Sequence, residues 1–241
     1  MLPVMRRLLL ALGCACSLSA MPAAQDPVAV APQMVKVEFE NDQIRVLRSR
    51  YAPHQAMPMH SHPGRVVILL TDANRVSTTP DGVAHPAVGK SGEVAWRDGG
   101  THALQNLGDT PMETIEIEVK RATAAGVPVT LDIPANPAVP MPVQFEPHHH
   151  FAFQNQYVRV MDVLMPVGEP SQFHTHALDN VSVDLSGDKS QGQPMGGEWQ
   201  PAVNVVHGSA AFHRAVGQPY THRVRSAGQQ DYHVIDIEIL P

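Results

Sequence analysis

Phe39-Glu-Asn-Asp-Gln-Ile-Arg-Val-Leu47 reappears further along the chain as Phe153-Gln-Asn-Gln-Tyr-Val-Arg-Val-Met161. The offset of 114 residues holds without a gap as far as His62, so His60-Ser-His62 lands on His174-Thr-His176. Beyond that point it grows to 120, which sets His102 on His222 and Ile115-Glu-Ile-Glu118 on Ile235-Asp-Ile-Glu238. Ordered matches of this kind define an internal repeat, and a repeat decides the architecture before local propensity does. We expect two copies of one unit, residues 35–120 and residues 145–241. Residues 121–144, rich in Pro and Ala, read as an extended linker between them.

Within each copy the pattern is that of strands. Val158-Arg-Val-Met-Asp-Val-Leu164 and Thr114-Ile-Glu-Ile-Glu-Val119 alternate apolar and polar residues, as a half-buried strand requires. Val66-Val-Ile-Leu-Leu70 is a continuous apolar run, and Asp81-Gly82, Gly99-Gly100 and Ser186-Gly-Asp188 supply turns. The fold class is all-β. A unit of this size must hide its sheet edges, and closure into a small barrel does so.

The ends and the composition narrow the setting. Arg6 and Arg7 precede the apolar run Leu8 to Leu12, and small residues follow to Ala24, so residues 1–24 are expected to be a secretory signal peptide. The run is too short to span a bilayer, and after cleavage no membrane segment remains. Gly13-Cys14 is a degenerate lipoprotein junction and the weaker reading of the same segment. The two cysteines, Cys14 and Cys16, both fall there. A mature chain without cysteine has no disulfide, and any metal it holds must use nitrogen and oxygen ligands. A formal net charge of −6 offers no basic field for nucleic acid.

The histidines carry the chemistry. Residues two apart on a strand point to one face, so His60 and His62 project together, as do His174 and His176. His102 and His222, each following a glycine turn, supply a third ligand from another strand. Three histidines leave coordination positions open for water or substrate, which is how catalytic metal sites differ from closed structural ones.

These residues resemble the cupin superfamily. Its first motif has two histidines one residue apart followed by a glutamate, and its second runs from a glycine to a histidine and an asparagine. Here Gly92, Gly100, His102 and Asn106 follow the second motif, with Asp98 where proline is usual. The first motif keeps its histidines, but Val66 and Val67 occupy the glutamate window in copy one, and Asn180 and Val181 in copy two. The resemblance implies two cupin-type double-stranded β-helix barrels in tandem, with metal ligands His60, His62 and His102 in one and His174, His176 and His222 in the other. The absent glutamates argue against an oxalate-type activity and for the three-histidine members, among them dioxygenases that hold Fe(II). Fe(II) is therefore the favoured divalent metal, with Zn, Mn, Ni and Cu also open. A neutral three-histidine set leaves the metal its full charge, which favours a small anionic molecule. The expected function is an exported metal-binding bicupin acting as a dioxygenase or lyase. The alternative is a non-catalytic periplasmic module that binds a small ligand or metal. The expected partner is a small molecule, and pairing into a homodimer through sheet edges is compatible with the pattern.

The remaining candidates have plainer readings. His148 to His150 read as an exposed strand entrance, with a metal role as the weaker reading, and His54, His85, His207 and His233 as surface or structural residues. Trp96 and Phe212 occupy matched positions and read as core filler, Arg97 and His213 as candidates for a pocket mouth. Met57, Met59 and Met165 read as packing rather than copper ligands. Glu93 and Glu116 are carboxylates that strand parity does not place at the metal.

Overall fold

The computed structural model of the protein describes residues 25–132, 138 and 140–241. The expected signal segment, with both cysteines, lies outside the described residues. A one-turn helix α1 (Pro27–Val30), whose first turn is capped by the Asp26 carboxylate, leads into the first copy. That copy forms β1 (Val35–Glu40), β2 (Ile44–Tyr51), β3 (Ala56–His62), β4 (Arg65–Leu69), β5 (Ala73–Thr78), β6 (Ala84–Gly89), β7 (Val94–Arg97), β8 (Gly100–Asn106) and β9 (Met112–Val119). The second part of the chain forms β10 (Met141–Pro142), β11 (His149–Gln154), β12 (Val158–Met165), β13 (His174–His176), β14 (Asn180–Ser186), β15 (Lys189–Pro194), β16 (Val203–Asn204), β17 (Ala210–His213), β18 (Tyr220–Ser226) and β19 (Tyr232–Ile239).

The repeat seen in the sequence is a repeat of topology. The sheet β1-β2-β9-β4-β7 is matched strand for strand by β11-β12-β19-β14-β17. The sheet β3-β8-β5-β6 is matched by β13-β18-β15-β16, with β10 added beside β13 as a parallel edge strand. Even the irregularities coincide: a register shift between Val37 and Phe39 recurs between Phe151 and Phe153. The fold is all-β, two cupin-type barrels in tandem, the first built from a five- and a four-stranded sheet and the second from two five-stranded sheets.

The apolar faces point where simple alternation does not predict. Ile44 and Val46 on β2, Val66 and Ile68 on β4, and Ile115, Ile117 and Val119 on β9 are buried. They pack in one cluster with Val158, Val160, Val181, Val183, Ile235 and Ile237 of the second copy. The largest core among the described residues therefore lies between the sheets β1-β2-β9-β4-β7 and β11-β12-β19-β14-β17 rather than inside a barrel. Each such side chain contributes roughly 1.5–3 kcal/mol by leaving water. Phe39 stacks on Phe212 and Trp96 on Tyr157 at the same junction, with ring centres 4.9 and 5.5 Å apart. Trp96 and Phe212 are thus filler, as expected, but they fill the seam between barrels. His207 is structural too, reaching Leu185 O at 2.6 Å and Leu70 O at 2.9 Å across that seam.

With the apolar residues of β9 turned to the seam, the residues between them face the barrel interior. Glu116 and Glu118, and in the second copy Asp236 and Glu238, are buried there. The histidines sit in these polar interiors.

Candidate metal centres

In the first barrel, strand β3 carries His60 and His62 on one face, and the β3–β8 pairing sets His102 directly opposite His60. The ligating nitrogens of the three residues lie within 4.8 Å of one another. Their ring centres are 4.8 Å (His60–His62), 4.6 Å (His60–His102) and 5.5 Å (His62–His102) apart. His60 Nδ1–H donates to Pro58 O at 2.7 Å, and His62 Nδ1–H donates to Glu118 Oε1 at 2.6 Å. A nitrogen that faces a carbonyl or carboxylate must carry the proton, so Nε2 of each is left as the free electron pair. Burial holds His60 below the usual histidine range, and it lowers His102 to about 3, with Arg65 adding to the effect. Neutral imidazoles with their Nε2 lone pairs converging are the form in which histidine binds a metal.

Strand parity alone does not place Glu116 at the metal, but the structure sets its Oε2 4.0 Å from His62 Nε2. The apolar residues of β9 face the seam, which turns Glu116 towards the barrel interior. Glu116 is the pairing partner of Val67, the residue that stands in the glutamate window of the first motif. A carboxylate thus comes from the neighbouring strand at the same rung. Arg65 Nε donates to Glu116 Oε2 at 2.7 Å. Although burial pushes the Glu116 carboxyl up, Arg65 and His62 outweigh it and hold it at about 2.

The triad opens on a cavity of about 350 Å³. Arg65, Arg75 and Arg97 line it together with His60, His102 and Glu116. Arg75 Nη1 is buried and has no hydrogen-bond partner. Arg97 is therefore at the pocket, as expected, and His85 also reaches it. Glu93 lies on the far side of Arg75, in an adjoining recess. Asn106 does not face the triad with a free group. It is buried and bonds Ala52 O, Thr110 O and Gly108 N, so it builds the turn before β9.

The second barrel keeps the same scaffold. β13 pairs with β18 so that His174 opposes His222. Ring centres are 5.1 Å (His174–His176), 4.7 Å (His174–His222) and 5.1 Å (His176–His222) apart. His174 Nδ1–H donates to Gln172 O at 2.9 Å, leaving Nε2 inward. Nε2 of His174 and of His222 are both buried without a partner. Burial lowers His174 to about 3 and His222 to about 4, and pushes His176 well below its usual value. Orphaned, neutral imidazole nitrogens at a buried point fit a metal, since an unpaired buried polar atom otherwise costs free energy.

One histidine here was misjudged. His149, expected at an exposed strand entrance, is buried, and its ligating nitrogen lies within 4.8 Å of those of His174 and His176. A run of three histidines carries no parity signal of its own, since one must face inward whichever way the strand turns. The surrounding cavity, of about 430 Å³, is lined by His213, Tyr220, Asp184 and Asp236 and contains no arginine. Both Asp236 oxygens are buried without a partner, and burial raises its carboxyl well above the usual range.

No family model matches the chain, and no curated protein sequence matches it. Solved structures do. AerE from Microcystis aeruginosa superposes with a TM-score of 0.61 over 90% of this chain and 98% of that one, at 17% identity. A Cupin 2 conserved barrel domain protein from Leptotrichia buccalis gives 0.50 over 85% and 88%, at 12% identity. Salicylate 1,2-dioxygenase from Pseudoaminobacter salicylatoxidans, solved as adducts with gentisate, gives 0.54 over 81% and 68%, at 11% identity. At these identities the likeness is one of fold. Together with the repeated sheet order it shows that the chain has the fold of these cupin-type proteins, two barrels in tandem, here with a histidine cluster inside each barrel.

Proposed function

We propose that this chain is an exported metalloprotein whose first barrel is a metal-dependent oxygenase or lyase acting on a small anionic molecule. His60, His62 and His102 would hold a divalent metal there, and His174, His176 and His222 a second one in the other barrel. Fe(II) is the favoured metal, with Zn, Mn, Ni and Cu as the other candidates for a set of neutral nitrogen ligands. The observation that carries the reading is the arginine wall: three converging imidazoles open on a small cavity shared with Arg65, Arg75 and Arg97. The signal-like segment at residues 1–24 supports export.

The side chains divide the work as follows. A bound metal would supply Lewis-acid polarisation and open coordination positions. Arg75 and Arg97 would hold the carboxylate or other anionic group of the ligand, Arg75 with a donor that has no other partner. Arg65 is already engaged by Glu116. Glu116, kept ionised at about 2, offsets the positive charge of the site rather than accepting a proton near neutral pH.

That last point favours a second reading. Neither His102, held at about 3, nor Glu116, held at about 2, is poised near neutrality. A module that binds an anionic ligand without turnover needs no acid or base, and this arrangement suits it. Oxygen uptake by iron-loaded protein with chelating diketones, catechol-like acids and simple carboxylates separates the two. Uptake that disappears in His60→Ala and weakens about tenfold or more in apparent affinity in Arg75→Ala supports the enzyme. Binding of the anion with no consumption and no product supports the module. Neither binding nor turnover contradicts both.

A further inference from the structure

The second barrel holds more nitrogen than the first motif pattern provides. We propose that His149 is a ligand of the second barrel's centre, making it a four-histidine site with His174, His176 and His222. The inference rests on the reading that this barrel binds a metal and adds the residue that distinguishes it from the first.

The geometry is that of one shared point. A divalent metal about 2.1 Å from an imidazole nitrogen lies about 3.2 Å from the ring centre, so neighbouring ligands set ring centres roughly 4.5–5.2 Å apart and opposed ligands about 6.4 Å. His149 lies 4.5 Å from His174 and 6.4 Å from His176, ring centre to ring centre. His174 and His176 lie 4.7 and 5.1 Å from His222. The ligating nitrogens of His149, His174 and His176 lie within 4.8 Å of one another, with His149 and His176 on opposite sides, and His222 joins them through its ring spacings to His174 and His176.

His149 is also held for the task. Its Nδ1–H donates to Glu146 Oε2 at 2.7 Å, which turns Nε2 inward. Glu146 is buried and fully engaged: its oxygens also accept from His148 N at 2.9 Å, His148 Nδ1 at 3.0 Å and Gln172 N at 2.9 Å. Gln172 is the residue whose carbonyl fixes His174. One carboxylate thus orients two of the four imidazoles, directly and through a backbone, as carboxylates commonly orient metal-bound histidines. Asp236 stands beside this cluster, with both oxygens unpartnered and Oδ2 at 3.8 Å from His176 Nδ1. In the first barrel the rung of His149 is occupied by Val35, since Val35 pairs with Ser49 as His149 pairs with Val163. A fourth nitrogen is therefore unavailable there, and the second centre binds metal the more tightly of the two.

The test uses the full chain with the first centre disabled by His60→Ala and His102→Ala. Metal is removed with a chelator, and Zn2+ is then titrated by competition with a coloured chelator. Adding His149→Ala is expected to weaken Zn2+ binding by about 100-fold and Glu146→Gln by about 10-fold, with the strand circular dichroism unchanged. In a His174→Ala, His222→Ala background the same two changes leave the first centre's affinity unaltered. Should His149→Ala fail to fold, the protein with His149 intact decides, through nitrogen hyperfine structure in the electron paramagnetic resonance of the Cu2+-loaded site. Four coupled nitrogens are expected. Tight binding through three nitrogens, or an affinity within about threefold of the parent in folded His149→Ala, overturns the inference while leaving the metal reading intact. No Zn2+ or Cu2+ bound at all overturns both.

Discussion

Two barrels with the same strand order and the same H-x-H strand have opposite electrostatic interiors. Strand pairing aligns Arg65 with Asn180, Arg75 with Ser190 and Arg97 with His213, so each arginine that walls the first cavity is replaced by a neutral residue in the second. Glu116, ion-paired to Arg65, becomes Asp236, which has no partner. Val35 becomes His149. The scaffold of histidines stayed while the charges around it changed, which teaches that the fold fixes where a metal goes and the flanking rungs fix what joins it. On the reading proposed above, the first barrel would admit an anion beside three imidazoles, and the second would enclose a cation with more nitrogen ligands.

The largest effect that can break this contrast lies at Arg65. Arg65→Leu leaves the Glu116 charge buried and unpaired and should cost about 3–5 kcal/mol in chemical denaturation, whereas Asn180→Leu at the matching position should cost about 1 kcal/mol. Equal costs would mean that Glu116 is not ionised and that the two interiors are electrostatically alike.

Next in size is the shared seam. Ile117→Ala and Ile237→Ala should each cost about 2–5 kcal/mol, because both side chains are fully buried in the same cluster. Their double variant should depart from additivity by about 0.5 kcal/mol or more, as for residues of one packed core. Strict additivity would argue for two separate cores.

The acid side sharpens the comparison further. His102, His174 and His222 are held in the fold at about 3, 3 and 4, well below the ordinary histidine value, by burial above all. Above pH ~6.5 these residues are neutral folded or unfolded and cost nothing. As pH falls below that, only the unfolded chain takes up the protons, so the metal-free protein should lose stability steadily down to about pH 4. Thermal melts across this range should show the slope reduced more by His174→Ala with His222→Ala than by His102→Ala alone. The smallest effect belongs to His207, whose replacement by alanine should cost about 1 kcal/mol at the seam and leave metal binding unchanged.

Much of this was legible in the sequence and some was not, for identifiable reasons. The repeat and the two H-x-H pairs announced two similar β-units, because period-two spacing and internal register survive in a linear string. The six aligned histidines were read the same way; the ligating nitrogens of His60, His62 and His102 converge, while in the second barrel those of His174 and His176 converge with His149, and His222 is their neighbour by ring spacing. Glu116 and Glu118 were missed because alternation tells which residues share a face but not which face looks at the barrel interior. Here the apolar face of β9 is spent on the other barrel. His149 was missed because three adjacent histidines show no preferred parity, and only the pairing of β11 with β12 selects the middle one. The arginine wall was hidden for a third reason: Arg65, Arg75 and Arg97 lie on separate strands, and only the sheet order brings them to one cavity.

The central claim, two separate metal centres of different make, is tested most directly by metal content per chain on protein purified anaerobically without a histidine tag, beside His60→Ala and His174→Ala. The account predicts about two equivalents in the parent and the loss of one in each variant. Loss of all metal in a single variant, or no uptake of iron, zinc, manganese or copper by the parent, would contradict it.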